Sequence, residues 1–164
     1  MSILLKAMLA SDWVRVREIY EEGIATANAT FETEAPEYQQ WDARHVSTCR
    51  LLALVEDQIA GWAALSPVSV RRVYAGVAEV SVYVSAATRG RGVGKTLLRE
   101  LILDSERHGF WTLQAGIFPE NVASIGLHQA LGFRQVGIRE RLGQLGGQWR
   151  DVVLMERRSQ IVGL

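Results

Sequence analysis

"RGRGVGKTLLRELI", residues 89–102, sets three glycines and two arginines at the mouth of a helical pattern. Just before it, "VAEVSVYVS", residues 77–85, alternates like a strand: Val80, Val82 and Val84 share one face, and Glu79, Ser81 and Tyr83 share the other. After the glycines, Leu97, Leu98, Leu101, Ile102 and Ser105 fall on one helical stripe that Gly109 ends. A strand, a glycine-rich turn and a helix in that order offer unpaired backbone N–H groups and a positive helix dipole to an anion. Glycine also lets a pyrophosphate come close to the main chain. Two common phosphate loops do not fit. The pattern GxxxxGK[ST], counted back from Gly94, Lys95 and Thr96, needs glycine at position 89, where the chain has Arg89. For GxGxxG, Lys95 stands where the last glycine belongs.

Working outward, residues 2–9 suit a first strand, and Asp12 is placed to cap a helix in which Trp13, Val16, Ile19, Tyr20, Gly23 and Ile24 follow the i, i+3, i+4 rhythm. The polar run "FETEAPEY", residues 31–38, reads as a loop into a second helix ending near Arg50. "RLLALVEDQIAGWAALSPV", residues 50–68, is two apolar runs split by Glu56, Asp57 and Gln58, a hairpin signal. Past Gly109 come a strand, "WTLQAGIF", a short helix from Asn121 to Leu131 stopped by Gly132, and two strands around "FRQVGIRE" and "WRDVVLMER". The predicted order is β α α β β β α β α β β. That makes one domain over residues 1–164, an α/β (α+β) fold with a mixed, mostly antiparallel sheet of about seven strands flanked by four helices.

A chain of 164 residues buries roughly 70% of the surface that its unfolded form exposes, enough for a proper core. Acidic and basic residues balance at 18 each, and the arginines are scattered, so no field draws nucleic acid or an anionic membrane. No apolar run reaches the roughly 18 residues of a span, and Lys6 interrupts the apolar start, which also lacks the basic lead of a signal peptide. Cys49 is the only cysteine, which excludes an internal disulfide and points to the cytoplasm. His45 lies one helical turn from it, but no nucleophile motif surrounds the pair.

"RGRGVG" at 89–94 matches the [QR]xxGx[GA] signature of the GNAT superfamily of N-acetyltransferases. "NVASIGLHQALGF" at 121–133 resembles that superfamily's NxxSxxLYxxxGF segment, with His128 where most relatives carry tyrosine. "ATFETEAP" at 29–36, "AEVSVYVS" at 78–85, His128 itself and "GGQWRDV" at 146–152 narrow the resemblance to phosphinothricin acetyltransferase-like enzymes, which include methionine sulfoximine and sulfone acetyltransferases. It covers all but the final "SQIVGL".

The resemblance implies acetyl-CoA as cosubstrate and no metal. Its pyrophosphate belongs at Arg89, Gly90, Arg91, Gly92, Val93, Gly94, Lys95 and Thr96, its pantetheine arm beside Val82, Tyr83 and Val84, with Asn121 and Ser124 near it. It implies Glu79 as general base, acting through a water or with its acidity lowered by burial, and His128 in the place of the tyrosine that protonates the departing thiolate. A backbone N–H near Val82 or Tyr83 would stabilise the oxyanion. Arg71 and Tyr74, at the spacing RxxYxxxxE before Glu79, and Phe31 and Thr33 are the implied acceptor contacts, with Arg71 reading an anionic group. Relatives form dimers, so a homodimer is expected. The expected activity is direct acetyl transfer to the amine of a small amino-acid-like substrate. A protein N-terminal or polyamine acetyltransferase is the alternative enzyme. A non-catalytic acyl-CoA sensor is the alternative from another class, against which Glu79 speaks.

Overall fold

The computed structural model describes residues 1–164. In chain order the elements are β1 (Ile3–Ala7), α1 (Trp13–Ala25), α2 (Tyr38–Arg44), β2 (Leu51–Val55), β3 (Gln58–Pro67), β4 (Val77–Val84), α3 (Val93–Arg107), β5 (Thr112–Ile117), α4 (Val122–Ala130), β6 (Arg134–Leu145) and β7 (Gln148–Arg158). The strands form one sheet in the order β1-β2-β3-β4-β5-β7-β6. Every neighbouring pair is antiparallel except β4 with β5. The mixed seven-stranded sheet with four helices is the architecture the sequence predicts. The hairpin between β2 and β3 turns on Glu56 and Asp57 at φ 50° and 62°, the left-handed pair that a tight two-residue turn requires.

Alternation along the central strands builds two unlike faces. Ala78 and Val80 join Ala63, Leu65, Leu97, Leu98, Leu101, Ile102 and Met155 in an aliphatic core under α3. The α3 stripe lies on this side, all five of its predicted positions buried. The other face packs Trp13, Val16 and Ile19 of α1 and Trp41 of α2 onto Leu52, Trp62 and Ala64, with Tyr20 and Tyr83 at its margin.

Two local expectations change. α2 ends at Arg44, short of Arg50, because the Arg50 guanidinium turns back to donate to the Val46, Asp42 and His45 carbonyls. The Val46 N–H meanwhile donates to the Leu65 carbonyl at 2.8 Å, which pulls the chain out of the helix toward the sheet. Asp12 does not cap α1; its carboxylate accepts from the Leu9 N–H at 2.9 Å and the Lys6 ammonium at 3.3 Å.

Candidate active site

The glycine turn has the geometry of an anion cradle. Gly90 and Gly92 sit at φ 76° and 85°, and nothing lies within 4 Å of where a Cβ would stand on either. Backbone conformation, not crowding, asks for glycine there. α3 starts at Val93 with no side chain capping it, and Thr96 returns both its N–H and its hydroxyl to the Gly92 carbonyl. The N–H groups of Val93, Gly94 and Lys95 thus fall in the first turn, ahead of the helical ladder. Arg89, Arg91 and Lys95 are exposed around them, with the Arg89 Nε also donating to the Val84 carbonyl at 3.3 Å. Open space, orphan donors and three cations fit a pyrophosphate.

β4 and β5 stay paired for only three positions, Val77 with Thr112, Ala78 with Leu113 and Glu79 with Gln114. On its other side β4 remains laddered to β3 as far as Val84 with Gly61. Beyond Glu79, therefore, β4 parts from β5 and leaves one backbone edge without a strand beside it. A cavity of about 560 Å³ opens at this split.

Of the residues singled out in the sequence, the split gathers Phe31, Glu79, Val82, Tyr83, Asn121, Ser124 and His128 into the cavity wall. It does not bring Thr33, Arg71 or Tyr74 there. Thr33 is exposed, and Arg71 and Tyr74 lie on an exposed turn before β4, the guanidinium 5.4 Å above the phenol ring. The spacing RxxYxxxxE brings Arg71 and Tyr74 close to Glu79 along the chain but not into the cavity wall. Val84 and the glycine turn lie outside the wall, toward the start of α3.

Glu79 is half-buried, and its Oε1 accepts from the Gln114 amide at 3.4 Å. No arginine pairs with it. The cavity's other charged carboxylates and guanidinium groups are Glu32, Arg44 and Arg139. Glu32 and Arg44 face each other at 3.9 Å, so Glu79 and Arg139 are the anion and the cation left without a partner. Arg139 stands opposite Val152 in the β6–β7 ladder, and the two side chains share the cavity face. Nothing but strand alternation marks it in the sequence.

His128 is buried against Phe133, ring centroids 5.0 Å apart. Its Nδ1 is 2.7 Å from the Ser124 carbonyl, which can only accept, so Nδ1 carries the proton and Nε2 holds the lone pair. Burial pushes its pKa below the usual histidine value and opposes a second proton. The ring is thus held as a proton acceptor at Nε2. Both polar ends of Asn121 are engaged: Oδ1 accepts the Ser124 N–H and Nδ2 donates to the Asn28 carbonyl. Tyr83 stacks between Tyr20 and Trp62, both 4.8 Å away, and burial raises its phenol pKa.

Cys49 plays no part here. Burial pushes its thiol up to about 11, and it contacts His108 at 3.7 Å on the α3 side, while His45 stacks on Trp41. An unreactive thiol there suits the absence of any nucleophile motif.

A parted β4–β5 pair beside a glycine-rich helix start fits an acyl-CoA-dependent acyltransferase. The acetyltransferase (GNAT) family model matches residues 13–133, and the chain belongs to that family. It is 34% identical to a phosphinothricin N-acetyltransferase of Alcaligenes faecalis over 89% of this chain and 77% of that one. It is 30% identical to an L-methionine sulfoximine/L-methionine sulfone acetyltransferase of Pseudomonas paraeruginosa, over 95% of this chain and 94% of that one. A phosphinothricin acetyltransferase structure from Sinorhizobium meliloti in complex with acetyl-CoA superposes with TM-score 0.89 at 30% identity, covering 99% of this chain and 91% of that one. The chain is an acetyl-CoA-dependent N-acetyltransferase.

Proposed function

We propose that the chain acetylates the amine of a small amino-acid-like compound of the phosphinothricin or methionine sulfoximine type, in a single ternary complex. The observation that carries this is the charge pattern of the cavity: one unpaired carboxylate, Glu79, and one unpaired guanidinium, Arg139, on a wall whose other two ionic groups neutralise each other. That is the complement of a molecule with an amine at one end and an oxygen-rich anionic group at the other.

Acetyl-CoA supplies a thioester carbonyl carbon that the amine nitrogen attacks. The edge of β4 from Val82 to Val84 holds the pantetheine arm, and the turn from Arg89 to Thr96 holds the pyrophosphate. Glu79, directly or through a water, takes the proton that the nitrogen loses as the amide forms. A backbone N–H near Val82 or Tyr83 steadies the charge that develops on the carbonyl oxygen. The departing sulfur needs a proton to match the one Glu79 has taken; it comes from solvent, and the lone pair on Nε2 of His128 can relay it. Ser124 fixes the tautomer this requires. Arg139 takes over the anion-reading role that chain spacing suggested for Arg71.

The chain works as one cytoplasmic domain and as a homodimer. Support for the dimer comes from Val136, Ile138, Leu142 and Trp149, large apolar side chains left exposed on the β6–β7 hairpin.

A CoA-release assay across amino acids, their amides, polyamines and peptides tests the reading. Free acids should outpace their amides, and Arg139→Ala should remove that preference by about 2 kcal/mol in kcat/KM. Equal rates on acid and amide, or far better rates on peptides or polyamines, would hand the site to the protein N-terminal or polyamine alternative.

A further inference from the structure

Residues 29–32 line the cavity, and no helix or strand includes them. Without a ladder, their place must be set by side chains reaching from elsewhere. Four do so. Asn121 donates from Nδ2 to the Asn28 carbonyl at 3.1 Å. Phe118 meets the Phe31 ring edge-on, centroids 4.9 Å apart. Gly143 leaves room for the same ring: a Cβ on it would lie 3.2 Å from Phe31. The fourth, Arg150, does most. Its Nη1 donates to the Ala27 carbonyl at 2.9 Å, and its Nη2 reaches the Asn28 Oδ1 at 3.4 Å and the Glu120 carboxylate at 3.3 Å. Its guanidinium also lies 4.0 Å over the Phe118 ring.

We propose that Arg150 is a positioning residue for the amine substrate, clasping the segment 27–32 onto Phe118 so that Phe31 and its neighbours close the acceptor side of the cavity. The inference rests on the acetyl-acceptor role given to this cavity. A planar guanidinium can stack on an aromatic face and donate in its own plane at once, whereas a lysine ammonium keeps the charge and loses the plane. The hold is applied where the backbone needs it. Ala27 stands at φ 53°, a conformation an alanine seldom adopts, and the Arg150 bond fastens its carbonyl. The ion pair with Glu120 is a minor part, because that carboxylate is 63% exposed. Asn121 joins the clasp to the start of α4, where its Oδ1 also accepts the Ser124 N–H. Acceptor wall and cosubstrate side are thereby tied through one amide.

The test compares wild type with Arg150→Lys and Glu120→Gln, using the best acceptor from the CoA-release assay. For Arg150→Lys, KM for the amine should rise on the order of tenfold while kcat and the acetyl-CoA Kd stay within about threefold. Glu120→Gln should match wild type within about twofold. Hydrogen exchange gives a readout that needs no acceptor: amides of 28–32 should exchange at least about tenfold faster in Arg150→Lys, with those of α3 unchanged. An unchanged KM, or unchanged exchange in 28–32, overturns the clasp. Equal loss of acetyl-CoA affinity, or faster exchange across α3, overturns it too by showing general damage. Wild type failing on every amino-acid-like amine sinks the functional reading instead, and the exchange data still decide whether Arg150 holds the segment.

Discussion

The two faces of the sheet are built from different materials. Under α3 the core is aliphatic, Leu97, Leu98, Leu101 and Met155 against Ala63, Leu65 and Ala78, all at zero exposure. Flexible branched chains fill such a space closely, and this side is sealed. Under α1 and α2 the core is a cluster of rings, Trp13, Trp41 and Trp62, with Tyr83 stacked on Trp62 and Tyr20 tilted beside it. Rigid plates pack well against one another but leave gaps at their rims, and three indole N–H groups, those of Trp13, Trp41 and Trp62, are buried there without a partner. The cavity opens at the edge of that cluster. One face stores stability and the other makes room for chemistry.

Three changes separate those roles. Glu79→Gln on the cavity side should cost the most in function, lowering kcat about 100-fold to 10,000-fold with the acetyl-CoA Kd and the melting temperature near wild type. Steady-state kinetics with calorimetry checks it, and a rate within about threefold of wild type across the pH range would leave the amine proton to solvent. Leu101→Ala on the sealed side should do the reverse, removing about 2–5 kcal/mol of stability in denaturant titrations while the folded fraction keeps its kcat. A large loss of kcat at full folding would mean that the two faces are not separable.

The smallest effect is a pH dependence carried by the cavity side. Burial depresses the pKa of both His45 and His128. A histidine near 6.5 when unfolded and lower when folded binds more protons in the unfolded chain. Its stabilising contribution is complete above about pH 6.5 and is lost as pH falls from there through the folded value. The melting temperature should therefore drop between pH 7.5 and 5, and His45→Gln with His128→Gln should shrink the drop. An undiminished drop in the double variant would assign the acid sensitivity to carboxylates.

The sealed face was the legible one. Periodicity alone marked the α3 stripe, because each of its positions answers to neighbours three and four residues away. The glycine turn was legible too, since Gly90 and Gly92 answer to their own backbone angles. Of the acceptor wall, the resemblance named Phe31 and nothing in the sequence named Arg139. Arg139 reaches the cavity only through the register of β6 on β7, which shifts between Arg139 and Gly143, and Phe31 through contacts with Phe118 and Gly143. Arg71, singled out at the spacing RxxYxxxxE before Glu79, lies outside the cavity lining, ahead of the exposed turn from Arg72 to Tyr74. Those positions depend on long-range pairing, which one sequence read alone does not display.

The early parting of β4 from β5 makes this sheet one that never finishes zipping. A bare strand edge is usually a hazard, since any extended chain can add to it. Here the edge lies inside the sheet, between β4 and β5, where the cavity opens. In the proposed complex the pantetheine arm takes the place of the missing strand. Binding the cosubstrate then resembles the last step of assembling the sheet, and the chain should gain stability with the logarithm of acetyl-CoA concentration. In a cell the supply of an activated metabolite would thus govern how long each copy of the enzyme survives as well as how fast it works.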